Sequence, residues 1–274
     1  PMPSDVFRER YGGTIEVPAN WPPQPPPGKP GAMLPGQGYA TYALEVRLPE
    51  LAESLELGIA AGNVHSAVAW RVVELESGAK LAHMVQGVPG RSVESTTPVF
   101  VSTRGDFSKA TSERFMVWAH MSNFGHARGG TLAAPTLGGI TELSHTKTSG
   151  LIADVTVFGI CLIIALYHLV IFLQRREDTP SLFLACFCGA IALRQWLTGL
   201  LAQEMGMAHS LAGFELHVRL EYLTMPLIGM SAGLFIHALV PGRLFKRCVD
   251  IWYVGFGLVL IGFSVLASTL VISG

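Results

Sequence analysis

The sequence has few charged residues and no excess of either sign. Lys, Arg, Asp and Glu together make up 14% of the 274 residues, and the formal net charge is −1 at pH 7. A soluble globular protein carries about 25% charged residues, so this composition indicates a chain that lies partly in lipid. A net charge near zero also removes the electrostatic argument for nucleic acid, and we expect no nucleic-acid partner.

Cysteine is also scarce and unevenly placed. The chain has four cysteines, all beyond residue 150: Cys161, Cys186, Cys188 and Cys248. The first 150 residues therefore contain no disulfide framework. Two of the cysteines are separated by a single residue, so on a helix they point in different directions and are not expected to share a metal ion.

Motifs of catalysis are missing as well. The sequence contains no nucleophile elbow, no P-loop and no HExxH motif, which would indicate acyl transfer, nucleotide hydrolysis or zinc chemistry. No pair of carboxylates stands out as a catalytic acid and base. We therefore predict no catalytic residue, no metal and no cofactor within these 274 residues.

Long apolar runs are present, and they all lie in the second half of the chain. Residues 151–173 (LIADVTVFGICLIIALYHLVIFL) contain one carboxylate and one histidine in an otherwise uncharged stretch. At about 1.5 Å per residue, a helix of this length crosses a hydrocarbon core of about 30 Å. Three similar segments follow, at about 181–201, 221–240 and 249–272. The pattern predicts a transmembrane domain over residues 149–274 in which four α-helices are visible.

The loops between these predicted helices differ in their content of basic residues. Residues 174–180 contain two arginines, and residues 241–248 contain two arginines and a lysine. Residues 202–220, in contrast, contain one arginine and two glutamates. Because cytoplasmic loops are enriched in Lys and Arg, we expect the two basic loops to face the cytoplasm. The first 148 residues and the 202–220 loop are then expected on the outer side of the membrane.

The first part of the chain has the pattern of β-structure. Residues 40–48 alternate between two faces, and similar short runs recur about every ten residues with turn signals between them. This spacing is typical of a β-sandwich rather than an α/β domain. About eight strands fit into the segment, which suggests a jelly roll. The predicted fold is therefore an all-β outer domain over residues 1–148, followed by an α-helical membrane bundle.

Four short motifs in the outer domain stand in an order known from one family. They are residues 17–21 (VPANW), 38–44 (GYATYAL), 87–90 (GVPG) and 122–130 (SNFGHARGG). In this order they resemble the periplasmic domain of the bacterial 7TM-DISM receptors, the seven-transmembrane receptors with diverse intracellular signalling modules. The resemblance is to their type 2 extracellular domain (DISMED2), a jelly roll similar to carbohydrate-binding modules. The Trp-containing strand that usually precedes this region is missing, so we expect an N-terminal truncation.

The membrane half resembles the same family, which implies a multi-pass protein of the bacterial inner membrane with residues 1–148 in the periplasm. Residues 165–169 (ALYHL), 175–178 (RRED), 181–182 (SL) and 221–227 (EYLTMPL) are similar to segments of its first three helices. Members have seven helices followed by a cytoplasmic diguanylate cyclase, histidine kinase, or adenylate or guanylate cyclase. We therefore expect the chain to end before such an output. Whether the whole protein is an enzyme stays open, since the missing output would carry that chemistry.

Several residues of the outer domain are candidates for ligand binding. Tryptophan rings can stack on the C–H faces of sugars, although a mid-strand tryptophan more often lies in a core. Two histidines and an asparagine near the last motif could hold a metal, but their spacing is weak evidence, and the asparagine more often bonds the backbone of a turn. An arginine there could pair with a carboxylate or phosphate, although a solvated arginine is commoner. The six candidates are Trp70, Trp118, His120, Asn123, His126 and Arg128.

Three ionisable residues fall within the predicted helices, where an unpaired charge is costly. Asp154 and Glu221 are expected to open the first and third helices, and Arg194 lies in the second. We predict that the three approach one another in the outer third of the bundle. Their role is left open between a point of coupling to the outer domain and a static ion pair that fixes helix packing.

The function that these patterns favour is a signalling receptor. The outer domain would bind a small molecule or glycan, and the helices, in contact with membrane lipid, would relay binding to a cytoplasmic output. By analogy with such outputs we expect a homodimer. One alternative is a membrane-anchored module that recruits a periplasmic protein partner. Another is a transporter subunit, which the lack of a broken pair of helices disfavours.

Overall fold

The computed structural model describes residues 36–48, 56–61, 67–99, 103–106, 113–126, 129–131, 134–205, 211–239 and 255–266, and the structural statements below refer to these. They separate into two compact units. The first consists mainly of residues up to Lys147, and the second mainly of residues from Thr148 onward.

The first unit contains two antiparallel sheets. The described strands are β1 (Gly38–Arg47), β2 (Leu57–Ala60), β3 (Ala67–Glu74), β4 (Lys80–Gln86), β5 (Arg104–Asp106), β6 (Arg114–Asn123) and β7 (Thr136–Gly139). The first sheet has the order β1-β6-β3-β4, and the second has the order β5-β2-β7. Every pairing in both sheets is antiparallel.

The two sheets share one apolar core. Alternate residues of the first sheet point into it, among them Trp70 and Val72 of β3 and Phe115 of β6. The second sheet contributes Leu57 and Ile59 of β2 to the same cluster. The period of two along each strand separates this core face from an outward face. The predicted β-structure of the first half is therefore present as two packed antiparallel sheets.

Glycine permits close backbone approach at two points of this unit. Gly105 of β5 faces β4, and a Cβ atom there would lie 2.9 Å from the Met84 sulfur. Gly87, at the end of β4, has a φ of 69°, and a Cβ atom there would lie 2.2 Å from the Thr97 carbonyl oxygen. Only glycine adopts such a conformation without strain in that space.

The last strand of the second sheet continues into a helix without a loop. Strand β7 ends at Gly139, and helix α1 (Ile140–Gln174) begins at the next residue. The Ile140 N–H donates a hydrogen bond of 2.8 Å to the Glu56 carbonyl oxygen, beside β2. Gly58 of β2 leaves room for this first turn, because a Cβ atom there would lie 3.3 Å from Ile140 and from Leu143.

The remaining described elements are helical. They are α2 (Thr179–Thr198), α3 (Leu200–Glu204), α4 (Leu211–Leu239) and α5 (Phe256–Leu266). Three helices are long and apolar enough to cross a membrane, namely α1, α2 and the part of α4 from Gly213. Only 6% of the most apolar window of α1 is buried inside the protein, as expected for a helix that faces lipid. Of the predicted fourth segment, 249–272, the structure describes only Gly255 and α5.

The observed helices begin earlier than the apolar runs suggest. Helix α1 starts 11 residues before the predicted residue 151, and α4 starts 10 residues before the predicted residue 221. Hydropathy detects only the segment that suits lipid, whereas a helix extends through polar turns because its backbone hydrogen bonds are internal. Asp154 and Glu221 therefore lie within helices and do not open them, which corrects that prediction.

Candidate functional site

The outward face of the first sheet brings chemistry-bearing side chains together from all four strands. The strand register places four side chains, one from each strand, in a row across the sheet. The residues two positions away on each strand form a second, parallel row. These eight residues, here called the outward face, are Ala43, Trp118, Arg71 and His83 in the first row and Thr41, His120, Ala69 and Val85 in the second. Side chains directly opposite on neighbouring strands have Cβ atoms about 5 Å apart, so each row is a line of side-chain neighbours.

Two aromatic rings lie parallel to each other on this face. The rings of Trp118 and His120 are stacked, with an interplanar angle of 11° and centroids 6.5 Å apart. Thr41 Oγ1 lies 3.0 Å from His120 Nδ1, and the two atoms share a hydrogen bond. That bond orients the imidazole beside the indole. The pair therefore presents two parallel aromatic rings held in fixed positions, here called the aromatic platform.

The two rings have one small and one polar cross-strand neighbour each. Ala43 of β1 and Arg71 of β3 are the cross-strand neighbours of Trp118, and Thr41 and Ala69 are those of His120. The two alanines have no side chain beyond Cβ to cover the rings. Each ring therefore has an alanine on one side and a polar side chain on the other: Ala43 and Arg71 beside Trp118, and Ala69 and Thr41 beside His120.

The charge on the outward face is positive near the rings. Arg71 is exposed and stands in register with Trp118. Burial, together with the charge of Arg71, lowers the pKa of His120 below its usual value. The imidazole is consequently neutral at pH 7 and presents an uncharged ring face. Chemically, this arrangement can stack a ring and pair with an anion.

The two candidate tryptophans lie on opposite faces of the sheet. Trp70 is 3% exposed and belongs to the core cluster. It therefore packs in the core, which was the alternative to ligand binding for both tryptophans. Trp118 is half-buried on the outward face. The neighbours two residues away already differ in the sequence, since Trp70 shares its face with Val68 and Val72 whereas Trp118 shares its face with His120. That local pattern could have separated the two.

Asn123 and His126 form a turn. Both are buried, and Asn123 Nδ2 donates hydrogen bonds to the carbonyl oxygens of Gly36, at 2.6 Å, and His126, at 2.7 Å. Asn123 Oδ1 accepts a bond of 3.1 Å from the His126 N–H. His120 points to the opposite face from Asn123, so the three groups considered for a metal are not brought together. Arg128 lies outside the described residues.

Three of the four outer-domain motifs that carried the family resemblance meet at one end of the first sheet, and the fourth, at residues 17–21, lies outside the described residues. Gly38 pairs with Asn123 in register. Ser122 Oγ is buried and accepts hydrogen bonds from the Gly90 N–H at 3.1 Å and from the Thr96 hydroxyl at 3.3 Å. These contacts join the 38–44, 87–90 and 122–130 motifs through backbone and hydroxyl groups. Within the described residues, their role is to hold this end of the sheet together.

Asp154 is bonded to a break between two helices of the second unit. Its carboxylate accepts a hydrogen bond of 2.7 Å from Gln195 Nε2 and one of 2.7 Å from the Leu200 N–H. Gly199 separates α2 from α3 at this point with extended backbone dihedrals. A Cβ atom on Gly199 would lie 2.7 Å from the Asp154 carboxylate. The carboxylate thus caps α3 and ties it to α1.

Arg194 contacts α4 through neutral oxygens. Its guanidinium donates hydrogen bonds of 3.2 Å to the main-chain oxygen of Glu221 and to Thr224 Oγ1. The Thr224 hydroxyl in turn donates to the same Glu221 oxygen at 2.6 Å. The contact is made to the backbone of Glu221 rather than to its carboxylate, and Asp154 bonds the residue next to Arg194. The partners Gln195, Leu200 and Thr224 were not predicted, because neutral side chains and backbone groups carry no signal in hydropathy.

The β unit and three apolar helices together define a membrane protein with an attached antiparallel β domain. The family model described as 7TM diverse intracellular signalling matches residues 151–273. This match supports the 7TMR-DISM family for the membrane half, and it indicates a transmembrane signalling receptor. No curated protein and no solved structure matches the chain.

Proposed function

We propose that this chain is the input half of a bacterial signalling receptor whose β unit senses a carbohydrate-like small molecule. The observation that carries the proposal is the aromatic platform of Trp118 and His120 on the outward face. It lies in a unit whose last strand becomes a membrane-spanning helix, and the family match to the helices favours signalling.

The platform suits a sugar ring. The C–H face of a pyranose is apolar, and an exposed aromatic surface offers it both buried area and an electron-rich partner. The Thr41 hydroxyl and the His83 imidazole lie in the same two rows as the rings, on the outermost strands β1 and β4. They supply hydrogen-bonding groups at both sides of the platform, which a polyhydroxylated ligand requires.

The second sheet of the unit that binds the ligand continues directly into the first turn of α1. Because β7 passes into α1 with no intervening residue, a shift of the second sheet moves the first turn of the helix. Binding changes the helix only if the ligand prefers one arrangement of this unit over another. The helices then relay this preference to a cytoplasmic output such as a diguanylate cyclase, a histidine kinase, or an adenylate or guanylate cyclase, and such outputs favour a homodimer.

We further infer that the β unit is a jelly roll of the DISMED2 type. Counted from one additional strand ahead of β1, the sheet orders become 2-7-4-5 and 6-3-8, which is the connectivity of an eight-stranded jelly roll without its first strand. The residues ahead of Gly36 lie outside the described part of the chain. With the basic loops facing the cytoplasm, this unit is placed in the periplasm.

Hydrogen exchange on the whole chain in lipid nanodiscs tests the receptor function. Addition of an oligosaccharide that binds should protect residues 114–123 of β6, and it should also change exchange in residues 140–147 at the start of α1. The control is the variant Trp118→Ala, in which both changes should require about tenfold more ligand. Protection of β6 with no change in α1 would contradict a relay, since binding would then leave the helix unaffected.

Two other outcomes would favour the alternatives. Saturable binding of a periplasmic protein to the outward face, in the absence of any saccharide binding, would indicate a recruiting module. Uptake of a solute by proteoliposomes that contain the chain would indicate a transporter subunit.

A further inference from the structure

Arg71 is the exposed cation beside the aromatic platform. Within the part of the chain that the structure describes, no carboxylate forms an ion pair with Arg71. Arg114, at the far end of β6 on the same side of the sheet, is paired with Glu45. The two arginines therefore differ: the charge of one is neutralised by a protein carboxylate, and the charge of the other is directed at solvent beside two stacked rings.

The position of Arg71 relative to the rings suits one kind of ligand. Its strand β3 is hydrogen-bonded to β6, and Arg71 is the direct cross-strand neighbour of Trp118, with Cβ atoms about 5 Å apart. A ring that stacks on the indole consequently has its edge near the guanidinium. Arginine presents a planar fork of donors that matches a carboxylate with two parallel hydrogen bonds.

We propose that the outward face binds an acidic saccharide, with its sugar ring stacked on the Trp118 indole and its carboxylate held by Arg71. The carboxylate of a uronic acid projects from the edge of the pyranose ring, where Arg71 stands. This inference rests on the proposed function, because it names the chemical class of the ligand that the β unit senses.

Matched acidic and neutral sugars test this inference. Calorimetric binding to the whole chain in nanodiscs would be measured for trimers of galacturonate, mannuronate and glucuronate, and for the methyl ester of each trimer. Acid and ester have the same rings and differ in charge. At least one acid should bind about tenfold to a hundredfold more tightly than its ester, the range expected for a charged hydrogen bond. The difference should shrink at high salt.

Substitutions assign the preference to individual side chains. Arg71→Gln should abolish the difference between acid and ester, because it weakens binding of the acid more than binding of the ester. Arg71→Lys should keep part of the difference, because the charge remains while the bidentate geometry is lost. Trp118→Ala should weaken acid and ester alike, by about tenfold. The matched control is Arg47→Gln, which removes the same charge from the end of β1 on the same face.

The results separate this inference from the proposed function. If acid and ester bind the unsubstituted chain equally well, Arg71 does not recognise the carboxylate. The β unit would in that case still bind sugars. If none of the six trimers binds, the acidic saccharide and the sugar-sensing function both fail. If Arg47→Gln reduces the preference for the acid as much as Arg71→Gln does, the preference comes from the overall positive charge of this face. The assignment to Arg71 is then wrong.

Discussion

His120 is the residue at which the electrostatics of the outward face can be measured directly. The charge of Arg71 on β3 acts on it and Thr41 on β1 shares a hydrogen bond with it, while Glu45 and Arg114 are paired with each other. Burial and the nearby guanidinium both disfavour the charged imidazolium, so the pKa of His120 lies below 6.5. The neutral ring is therefore part of the folded state and keeps its stacking on Trp118.

The first prediction concerns this pKa. Arg71→Gln should raise the pKa of His120 because one of the two causes is removed, and Arg71→Lys should leave it low. An NMR titration with labelled histidine, assigned by His120→Gln, measures both variants. The folded protein binds this proton less readily than the unfolded chain, so the linked stability is present above about pH 6.5 and declines as the pH falls through the lowered pKa. An unchanged pKa in Arg71→Gln would show that burial alone is responsible.

Asp154 illustrates how a carboxylate is accommodated within an apolar helix. It lies on the fifteenth residue of α1, and its oxygens accept hydrogen bonds from Gln195 and Leu200. A buried charge without such donors costs several kcal/mol. The two neutral donors belong to α2 and to the start of α3, so the carboxylate fixes the position of both relative to α1.

At the scale of elements, the break between α2 and α3 depends on the absence of a side chain at residue 199. A second prediction follows. Gly199→Ala should destabilise the chain by about 1–3 kcal/mol through overpacking, because its Cβ would meet the Asp154 carboxylate at 2.7 Å. The measurement is the unfolding midpoint in detergent.

The control for this prediction lies in α1. Gly159→Ala adds a Cβ that meets no atom of a described residue within 4 Å, so it should be neutral or stabilising by up to about 1 kcal/mol. In an Asp154→Ala background the cost of Gly199→Ala should fall in part, because the contact with the carboxylate is removed while the contact with the Gln195 carbonyl oxygen, also at 2.7 Å, remains. Equal costs in both backgrounds would contradict the proposed contact.

The direct continuation of β7 into α1 also depends on a glycine. A third prediction is that Gly58→Val displaces the first turn of α1, since Ile140 and Leu143 would already lie 3.3 Å from its Cβ. The expected cost is about 1–3 kcal/mol, with faster hydrogen exchange in residues 140–147. Gly138→Ala is the matched control, because its Cβ would make an ordinary contact of 3.8 Å with Leu143. Similar exchange in the two variants would show that Gly58 does not support the helix.

At the scale of the whole molecule, the alternation of basic and acidic loops predicts the topology. A fourth prediction is that a reporter fused after Arg176, in the turn between α1 and α2, faces the cytoplasm. Green fluorescent protein should fluoresce there and alkaline phosphatase should be inactive. Fusions after Glu204, at the end of α3, should show the reverse pattern. The same pattern at both positions would exclude a crossing by α2.

Sequence periodicity was sufficient for the class of each half of the chain. Alternation in residues 40–48 corresponds to β1, and the apolar runs from residues 151, 181 and 221 lie within or largely within α1, α2 and α4. These features are local: a strand has a period of two, and a spanning helix needs about 20 apolar residues. The helix starts were placed too late, because polar helical turns resemble loops in hydropathy.

The sequence by itself determined where lipid begins, where strands alternate and which residues carry charge, since these depend on neighbours along the chain. Only the tertiary structure decided which charges and rings meet. Trp118 and Arg71 are 47 residues apart in the chain and become neighbours through the register of β3 and β6. Asp154 meets Leu200 across 46 residues through the break at Gly199. Register and helix packing result from the burial of many apolar side chains at once, so no short motif encodes them.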